Sequence, residues 1–392
     1  MLLQSLRQER ILIFLDMKFT ILSTELLKGI SKVSKALPSK TTEMIIENCL
    51  VTITDTGLNI EGTDKFITID TVVPLVSVEE TGSIVIPVKQ LQALLKDMSE
   101  QNLTFATMGD SQFECSWSNG STTMPYYPAM DFPIAPKLDE NVFRVSMPSA
   151  VLMDAISSTL YAASNDENRP VITSVLVDID ATHTSFVATD LQCLVCRIVP
   201  EIKAESPCSF ILNKKHASII KSLMGKEETL INVAFNNKHA RMSLGEDVYV
   251  TCALFDGKYP NYKAIIPNAN SNVVSVDRVA LLNVVKRISV CAPKASSHIR
   301  FSVVGNSIEV SSQDLGFGVS AKETIICEHQ GEDITIGFKF TSVLDILSNM
   351  DGEKILFKFN SPKTSALVCP EWDSPDVPDN RQFGLIMPVL TR

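Results

Sequence analysis

The sequence predicts an α+β chain built from three tandem copies of one domain, each with two helices packed on antiparallel sheets. Three observations predict it. An order of strand, amphipathic helix and further strands begins at Lys18, at Phe143 and at Val273. These starts lie about 125 to 130 residues apart, which is ordinary domain size and not a solenoid period. A second strand and helix then follow inside each third, giving six helix-bearing units.

The first third, 17–139, opens with KFTILSTELLKGISKVSKAL, a strand running into a helix. Leu26, Ile30, Val33 and Leu37 share one side of that helix at 100° per residue, and Lys28, Lys32 and Lys35 cluster opposite. EMIIENCLVTIT and GLNIEGTDKFITIDTVVP read as strands, SIVIPVKQLQALLKDM as the second strand and helix, and NLTFATMG as a strand. In the second third, 140–268, Phe143 to Ser146 alternates like a strand and Pro148 suits the first turn of a helix, where its missing N–H costs nothing. Leu152, Ile156 and Leu160 form its stripe. Asn165 to Asn168 read as a loop, and Val171 to Asp180, Ser185 to Ala188 and Cys193 to Val199 as strands. CSFILNKKHASIIKSLMG is the second strand and helix, with Ile219 and Leu223 apolar and Lys214 and Lys221 across from them, and TLINVAFN follows. The last third, 269–392, gives VVSVDRVALLNVVKRISV, with Leu281, Val285 and Ile288 as the stripe and Lys286 and Arg287 beside it. IRFSVVG, SIEVSSQDLGFGVSAKETI, ITIGFKFTSVLDILSNM and KILFKFN complete it.

A short polar group between two strands anchors the repeat: Gly62-Thr63-Asp64, Ala188-Thr189-Asp190 and Ser312-Gln313-Asp314. Recurring acids could bind a metal, but a short acid between strands more commonly accepts the N–H groups of its own turn, and that is the role expected of Asp64, Asp190 and Asp314. The strand-like MKFTIL begins at Met17, so residues 1–16 read as an upstream extension. Their apolar core, Ile11 to Leu15, is too short for a signal peptide and no small-residue cleavage site follows.

The chain has 392 residues, 45% hydrophobic and 20% charged, with a formal charge of −10. Taken alone, that charge argues against a protein that coats nucleic acid. Its distribution argues otherwise. The six helical windows hold eleven basic residues, Lys28, Lys32, Lys35, Lys89, Lys96, Lys214, Lys215, Lys221, Arg278, Lys286 and Arg287, against five acids, Glu25, Asp97, Asp154, Asp277 and Asp345. Any one helix could carry lysines for solubility; segregation of sign over the whole chain points to a positive surface on an acidic body, able to meet a polyanion. No aromatic residues interleave these lysines, so phosphate contact without base reading is the expectation.

The nine cysteines, at irregular positions and mostly in strand-like runs, fit buried thiols in a reducing cytoplasm better than a disulfide framework. No run is long enough to cross a membrane. Enzyme motifs are missing: there is no GxxxxGK(S/T), GxGxxG or HExxH sequence, and Gly316-Phe317-Gly318 is a weak fragment. His183, His216, His239, His298 and His329 read as scattered surface residues. Cys193 and Cys196 have CxxC spacing, but positions three apart on a strand face opposite ways and cannot share an ion. Asn119-Gly120-Ser121 matches a glycosylation sequon with nothing to indicate secretion. No metal, cofactor or catalytic set is expected.

Met17 to the C-terminus resembles the bacterial DNA polymerase III beta subunit family, the sliding clamps. The resemblance rests on the opening MKFTI and LLKGISKVS, RPVITSVLVDI, FVATDLQCLV, FDGKYPNYKAIIP and the closing GLIMPV, in that order and spacing. It implies clamp-type domains, a head-to-tail homodimer closed into a ring, helices lining a central hole, and duplex DNA held without sequence preference. The implied role is a non-enzymatic processivity factor that tethers a replicative polymerase and is served by a clamp loader. Lys40 and Arg169 match basic positions of the family and join the helix cations as DNA-facing. The implied pocket for partner peptides comprises Ile172, Thr189, Leu191, Gln192, Leu194, Pro260, Ala264, Ile265, Thr364, Ala366, Leu385, Ile386, Met387 and Pro388, suited to a Leu or Phe anchor. Met124, Val290 and Cys291 are the implied dimer contacts. The chain departs from the pattern where the family commonly has TDGHR and it has Thr189-Asp190-Leu191-Gln192-Cys193, where Ala264 replaces a basic residue, and in the added Thr391-Arg392. A clamp-fold peptide-binding scaffold outside replication is the rival reading, and an enzyme of unrecognised type the third.

Overall fold

The structure, a computed structural model, describes residues 17–109, 111–138, 142–225, 227–267, 270–294, 296–371 and 381–390. The expected extension 1–16, the cuts between the thirds and Thr391-Arg392 lie outside the described residues.

The first third contains β1 (Lys18–Leu22), α1 (Ser23–Val33), β2 (Cys49–Thr54), β3 (Gly57–Thr63), β4 (Ile67–Val73), β5 (Ser77–Glu80) and β6 (Ser83–Ile86). It continues through α2 (Val88–Lys96), β7 (Asn102–Met108), β8 (Gln112–Trp117), β9 (Gly120–Pro125) and β10 (Tyr127–Pro128). The middle third has β11 (Phe143–Pro148), α3 (Ser149–Thr159), β12 (Ser174–Ile179), β13 (Thr184–Thr189), β14 (Cys193–Val199) and β15 (Cys208–Asn213). After α4 (Lys214–Leu223) come β16 (Leu230–Phe235), β17 (His239–Leu244) and β18 (Val248–Ala253). The last third opens with β19 (Asn272–Asp277), α5 (Arg278–Ser289), β20 (His298–Val304), β21 (Ser307–Asp314), β22 (Val319–Ile326) and β23 (Glu328–Gln330). It ends with β24 (Ile334–Lys339), α6 (Phe340–Asn349), β25 (Lys354–Phe359), β26 (Ala366–Glu371) and β27 (Gln382–Ile386).

All six expected helices form. Each follows a strand, with Pro87 alone between β6 and α2, and buries one stripe: Leu26, Ile30 and Val33 on α1, Leu91 and Leu95 on α2, Val343, Ile346 and Leu347 on α6. Gly29 lets α1 lie close on its sheet, because a Cβ there would come within 2.8 Å of Ile60 and 2.9 Å of Val73. Gly384 does the same for α6, where a Cβ would stand 2.6 Å from Ile346.

Four details differ from expectation. Leu37 and Leu160 fall outside their helices, which tighten into short 3-10 turns at Ser34–Ala36 and Leu160–Ala162. Pro148 closes β11 opposite Leu230, one residue before α3 begins. On α4 the buried face is His216, Ala217 and Ile220, so Ile219 and Leu223 are only half-buried. The junction sets that phase, since the Asn213 Oδ1 accepts the Lys215 N–H at 2.7 Å. His216 is therefore core, 6% exposed, and not a surface histidine.

The described residues divide into two compact units, Met1–Ser149 with Ser222–Ala253, and Ala150–Lys221 with Leu254–Arg392. The division runs through the middle third because its two halves belong to different sheets. In the first unit, a five-stranded sheet is ordered β5-β1-β7-β8-β9 and a nine-stranded sheet β10-β6-β2-β3-β4-β18-β17-β16-β11. In the second, a nine-stranded sheet is ordered β15-β12-β13-β14-β27-β26-β25-β19-β23 and a four-stranded sheet β22-β21-β20-β24. All pairings are antiparallel. Among the described residues, no helix is long and apolar enough to cross a membrane.

Candidate nucleic-acid and peptide interfaces

The helix cations fall into three groups. Some have exposed ion pairs: Lys28 with Glu25 at 2.6 Å, Lys32 with Asp247 at 2.6 Å, Lys89 with Glu47 at 2.9 Å and Arg169 with Asp166 at 3.5 Å. Such pairs contribute little to stability, so a phosphate can displace the carboxylate at small cost. Arg287 belongs here too, held by both Glu323 oxygens from β22. A second group, Lys40, Lys96, Lys221 and Lys286, makes no ion pair among the described residues. Exposed Lys215 lies six residues before Lys221 on the same helix.

The third group is built into the fold. Lys214 donates to the Ala163 carbonyl at 2.8 Å and to Asn165 Oδ1 at 2.9 Å, and burial lowers its pKa. Arg278 donates through Nε to the Gly352 carbonyl at 2.7 Å and through Nη1 to the Leu347 carbonyl at 2.9 Å, closing the C-terminal end of α6. Lys35 donates to the Ser222 carbonyl. Sequence spacing counted these three with the rest, but their donors are spent on backbone carbonyls, which leaves them less to offer a phosphate. Helices α3 and α6 bring no lysine or arginine.

The three aspartate turns share one set of bonds. Asp64 Oδ1 accepts the Phe66 and Ile67 N–H groups at 3.0 and 2.9 Å. Asp190 Oδ1 accepts those of Gln192 and Cys193 at 2.9 and 2.6 Å, and Asp314 Oδ1 those of Gly316 and Phe317 at 2.9 and 3.3 Å. In the first two turns the next residue is left-handed, Lys65 at φ 76° and Leu191 at φ 74°. Each turn then accepts one bond from the strand beside it: Ala253 N–H to the Phe66 carbonyl at 2.7 Å, Met387 N–H to the Gln192 carbonyl at 2.8 Å.

What differs is the neighbouring face. In the second unit Leu194 stands opposite Leu385 and joins an apolar cluster with Leu176, Val187, Tyr259 and Tyr262. In the first unit the matching pair is Thr68 opposite Thr251. The turn at 189–193 therefore adjoins an apolar cluster where the turn at 63–67 adjoins a threonine pair. Its far wall, the loop carrying Pro260, Ala264 and Ile265, is fixed by Tyr259 Oη donating to the Val187 carbonyl at 3.3 Å and Tyr262 Oη to Asp178 Oδ2 at 2.8 Å. Burial, with Asp178 alongside, pushes the Tyr262 phenol well above its ordinary range. Lys263 pairs with the same Asp178 oxygen at 2.9 Å.

The expected pocket residues separate by face. Leu191, Gln192, Ala264, Ile265, Thr364 and Met387 are exposed, Pro260 and Pro388 half-exposed, and Ile172, Thr189, Leu194 and Leu385 buried beneath them. Ala366 and Ile386 pair with each other, 0% and 1% exposed, and Ile386 stands opposite Cys193. Strand alternation puts that pair on the opposite face from Leu385. Leu367, opposite Leu385, packs against the apolar cluster instead, as do Val171 and Ile266. Alternation along β26 carried the signal for Leu367.

Cys193 and Cys196 are both buried, Cys196 in the apolar cluster and Cys193 on the Ile386 side. Met124 lies on β9, an edge strand; Val290 caps α5 and is 82% exposed, and Cys291 follows half-buried.

This geometry defines the three-domain clamp fold, and solved structures agree. Residues superpose on the DNA polymerase III subunit beta from Pseudomonas aeruginosa with a TM-score of 0.89 at 22% identity, covering 95% of this chain and 100% of that one. The DNA polymerase sliding clamp from Bacillus subtilis gives 0.88 at 23% identity, covering 96% and 100%. Profiles of the DNA polymerase III beta subunit match the N-terminal domain over residues 17–136, the central domain over 146–261 and the C-terminal domain over 263–378. The chain belongs to the DNA polymerase III beta subunit family. Among its relatives are the beta sliding clamp of Bacillus subtilis, 24% identical over 96% of this chain and 100% of that protein, and that of Halalkalibacterium halodurans, 26% identical over 90% and 96%.

Proposed function

We propose that this chain is a DNA sliding clamp, a processivity factor without catalytic activity, of which two copies join head to tail in a ring around duplex DNA. The observation that carries the ring is an open junction. Within one chain β4 pairs with β18, and β14 pairs with β27. The remaining strands of the same rank in the repeat, β22 in the last third and β9 in the first, are the ends of a four-stranded and a five-stranded sheet. Joined across two copies, these sheets would make a third sheet of nine strands, like the two already complete. A closed cyclic assembly satisfies both edges in both copies.

Met124 on β9 and Val290 and Cys291 beside α5 belong to this proposed interface. Met108 and Ile326, 52% and 88% exposed, support it. The basic residues of α1, α2, α4 and α5, with Lys40 and Arg169, would meet phosphates along the bore without reading bases, so the ring slides. The apolar surface at Leu194 and Leu385 would take peptide motifs of the replicative polymerase, the clamp loader and other partners in the cytoplasm. Cuts at 139/140 and 268/269 would bound the three domains.

Primer extension on a long single-stranded template by the cognate replicative polymerase tests this reading. Products should lengthen severalfold when the protein and a loader are added. Unchanged product length would contradict it.

A further inference from the structure

Leu191 stands at φ 74° in a turn that glycine would occupy without strain, and its side chain is 50% exposed. A left-handed conformation is strained for an L-residue, and half of this side chain gains nothing from burial in return. The equivalent position in the first unit is filled by Lys65, whose ammonium pairs with Glu43. Leu191 has no such use for its surface. Two further large apolar side chains are exposed on the segments that border the same cluster, Ile265 at 54% and Met387 at 50%. Met387 is tied to the Leu191 turn by its N–H bond to the Gln192 carbonyl. Leu194 and Leu385 belong to that cluster.

Gln192, Cys193 and Ala264 are neutral. The Lys263 ammonium is held by Asp178. Asp190, the acid of the turn, has Oδ1 on the turn's own N–H groups, leaving its negative charge at the lip. An acidic peptide residue would meet the Asp190 carboxylate at this lip, where the Lys263 ammonium is already paired.

We propose that Leu191 is a specificity-determining wall of the peptide pocket, selecting an extended peptide with an apolar residue beside its Leu or Phe anchor and rejecting an acidic one. This rests on the pocket reading above. Covering the free half of a leucine corresponds to about a tenfold change in affinity.

The test is fluorescence anisotropy with fluorescein-labelled Ala-Leu-Ala-Leu-Phe and its analogue with Asp as the third residue. The unmodified protein should bind the first peptide at least about tenfold more tightly than the second. Leu191→Gly should weaken the first about tenfold and leave the thermal midpoint equal or higher, since the strain is relieved. Equal affinity of Leu191→Gly and the unmodified protein would overturn the wall, and equal affinity for the two peptides would overturn the charge selection, with the pocket itself standing in both cases. No binding of either peptide by the unmodified protein would overturn the pocket and the wall together.

Discussion

Replacing Thr324 by proline should open the proposed ring without unfolding the chain. The Cys327 N–H donates to the Asn306 carbonyl at 3.0 Å, and in an antiparallel ladder bonded residues alternate. On β22, then, residues 325, 323, 321 and 319 bond inward to β21, and Ser320, Lys322, Thr324 and Ile326 direct their backbone groups to the free edge. The same reasoning on β9, where the Tyr126 N–H donates to the Ser111 carbonyl at 2.9 Å, turns Ser121 and Thr123 outward. Proline at 324 removes one outward donor and no inward one, and edge strands tolerate it. The lost bond and the acceptor left bare cost about 2–3 kcal/mol per junction. A ring has two junctions, so the dimer should weaken by roughly three orders of magnitude or more. Mass photometry across a dilution series, with circular dichroism to confirm the fold, would read this. A dimer of unchanged affinity would refute the pairing of these edges.

Further outcomes follow from individual contacts. Replacing Lys221 or Lys286, which have no ion pair among the described residues, by Glu should flatten the salt dependence of duplex binding by about 1.8 log units per log unit of salt for each lysine, counting two copies. Arg278→Ala should instead lower the unfolding midpoint, because Gly352 and Leu347 lose their donors. Arg197 bridges Asp154 at 2.8 Å and Asp351 at 2.9 Å with its side chain 19% exposed, so Arg197→Met should cost about 2 kcal/mol in urea denaturation, less than a fully buried pair because both acids are partly solvated. Burial pushes the Cys115, Cys196 and Cys252 thiols up to about 12. At pH 8 they should resist a thiol reagent until denaturant is added.

The helices were legible in the sequence because a buried stripe repeats with the helical period. The aspartate turns were legible because Asp64, Asp190 and Asp314 need only their own neighbours. Strand pairing was not. The bonds between β4 and β18, and between β14 and β27, join residues far apart in sequence, and no local pattern states that the middle third contributes to two sheets. Charge was half legible: spacing identified Lys96, Lys221 and Lys286 on their helices, but not that Lys214 and Arg278 turn their donors to carbonyls of segments distant in the chain. The expected pocket followed from resemblance; that Leu194 and Leu385 stand where Thr68 and Thr251 stand in the other unit came only from the strand register.

The most direct measurement is retention on a nicked circular duplex after loading with a cognate loader and ATP, followed by cutting the circle. A ring held by topology should stay on the circle through a gel-filtration column and leave it once the DNA is linear. Equal retention on both forms would contradict encirclement.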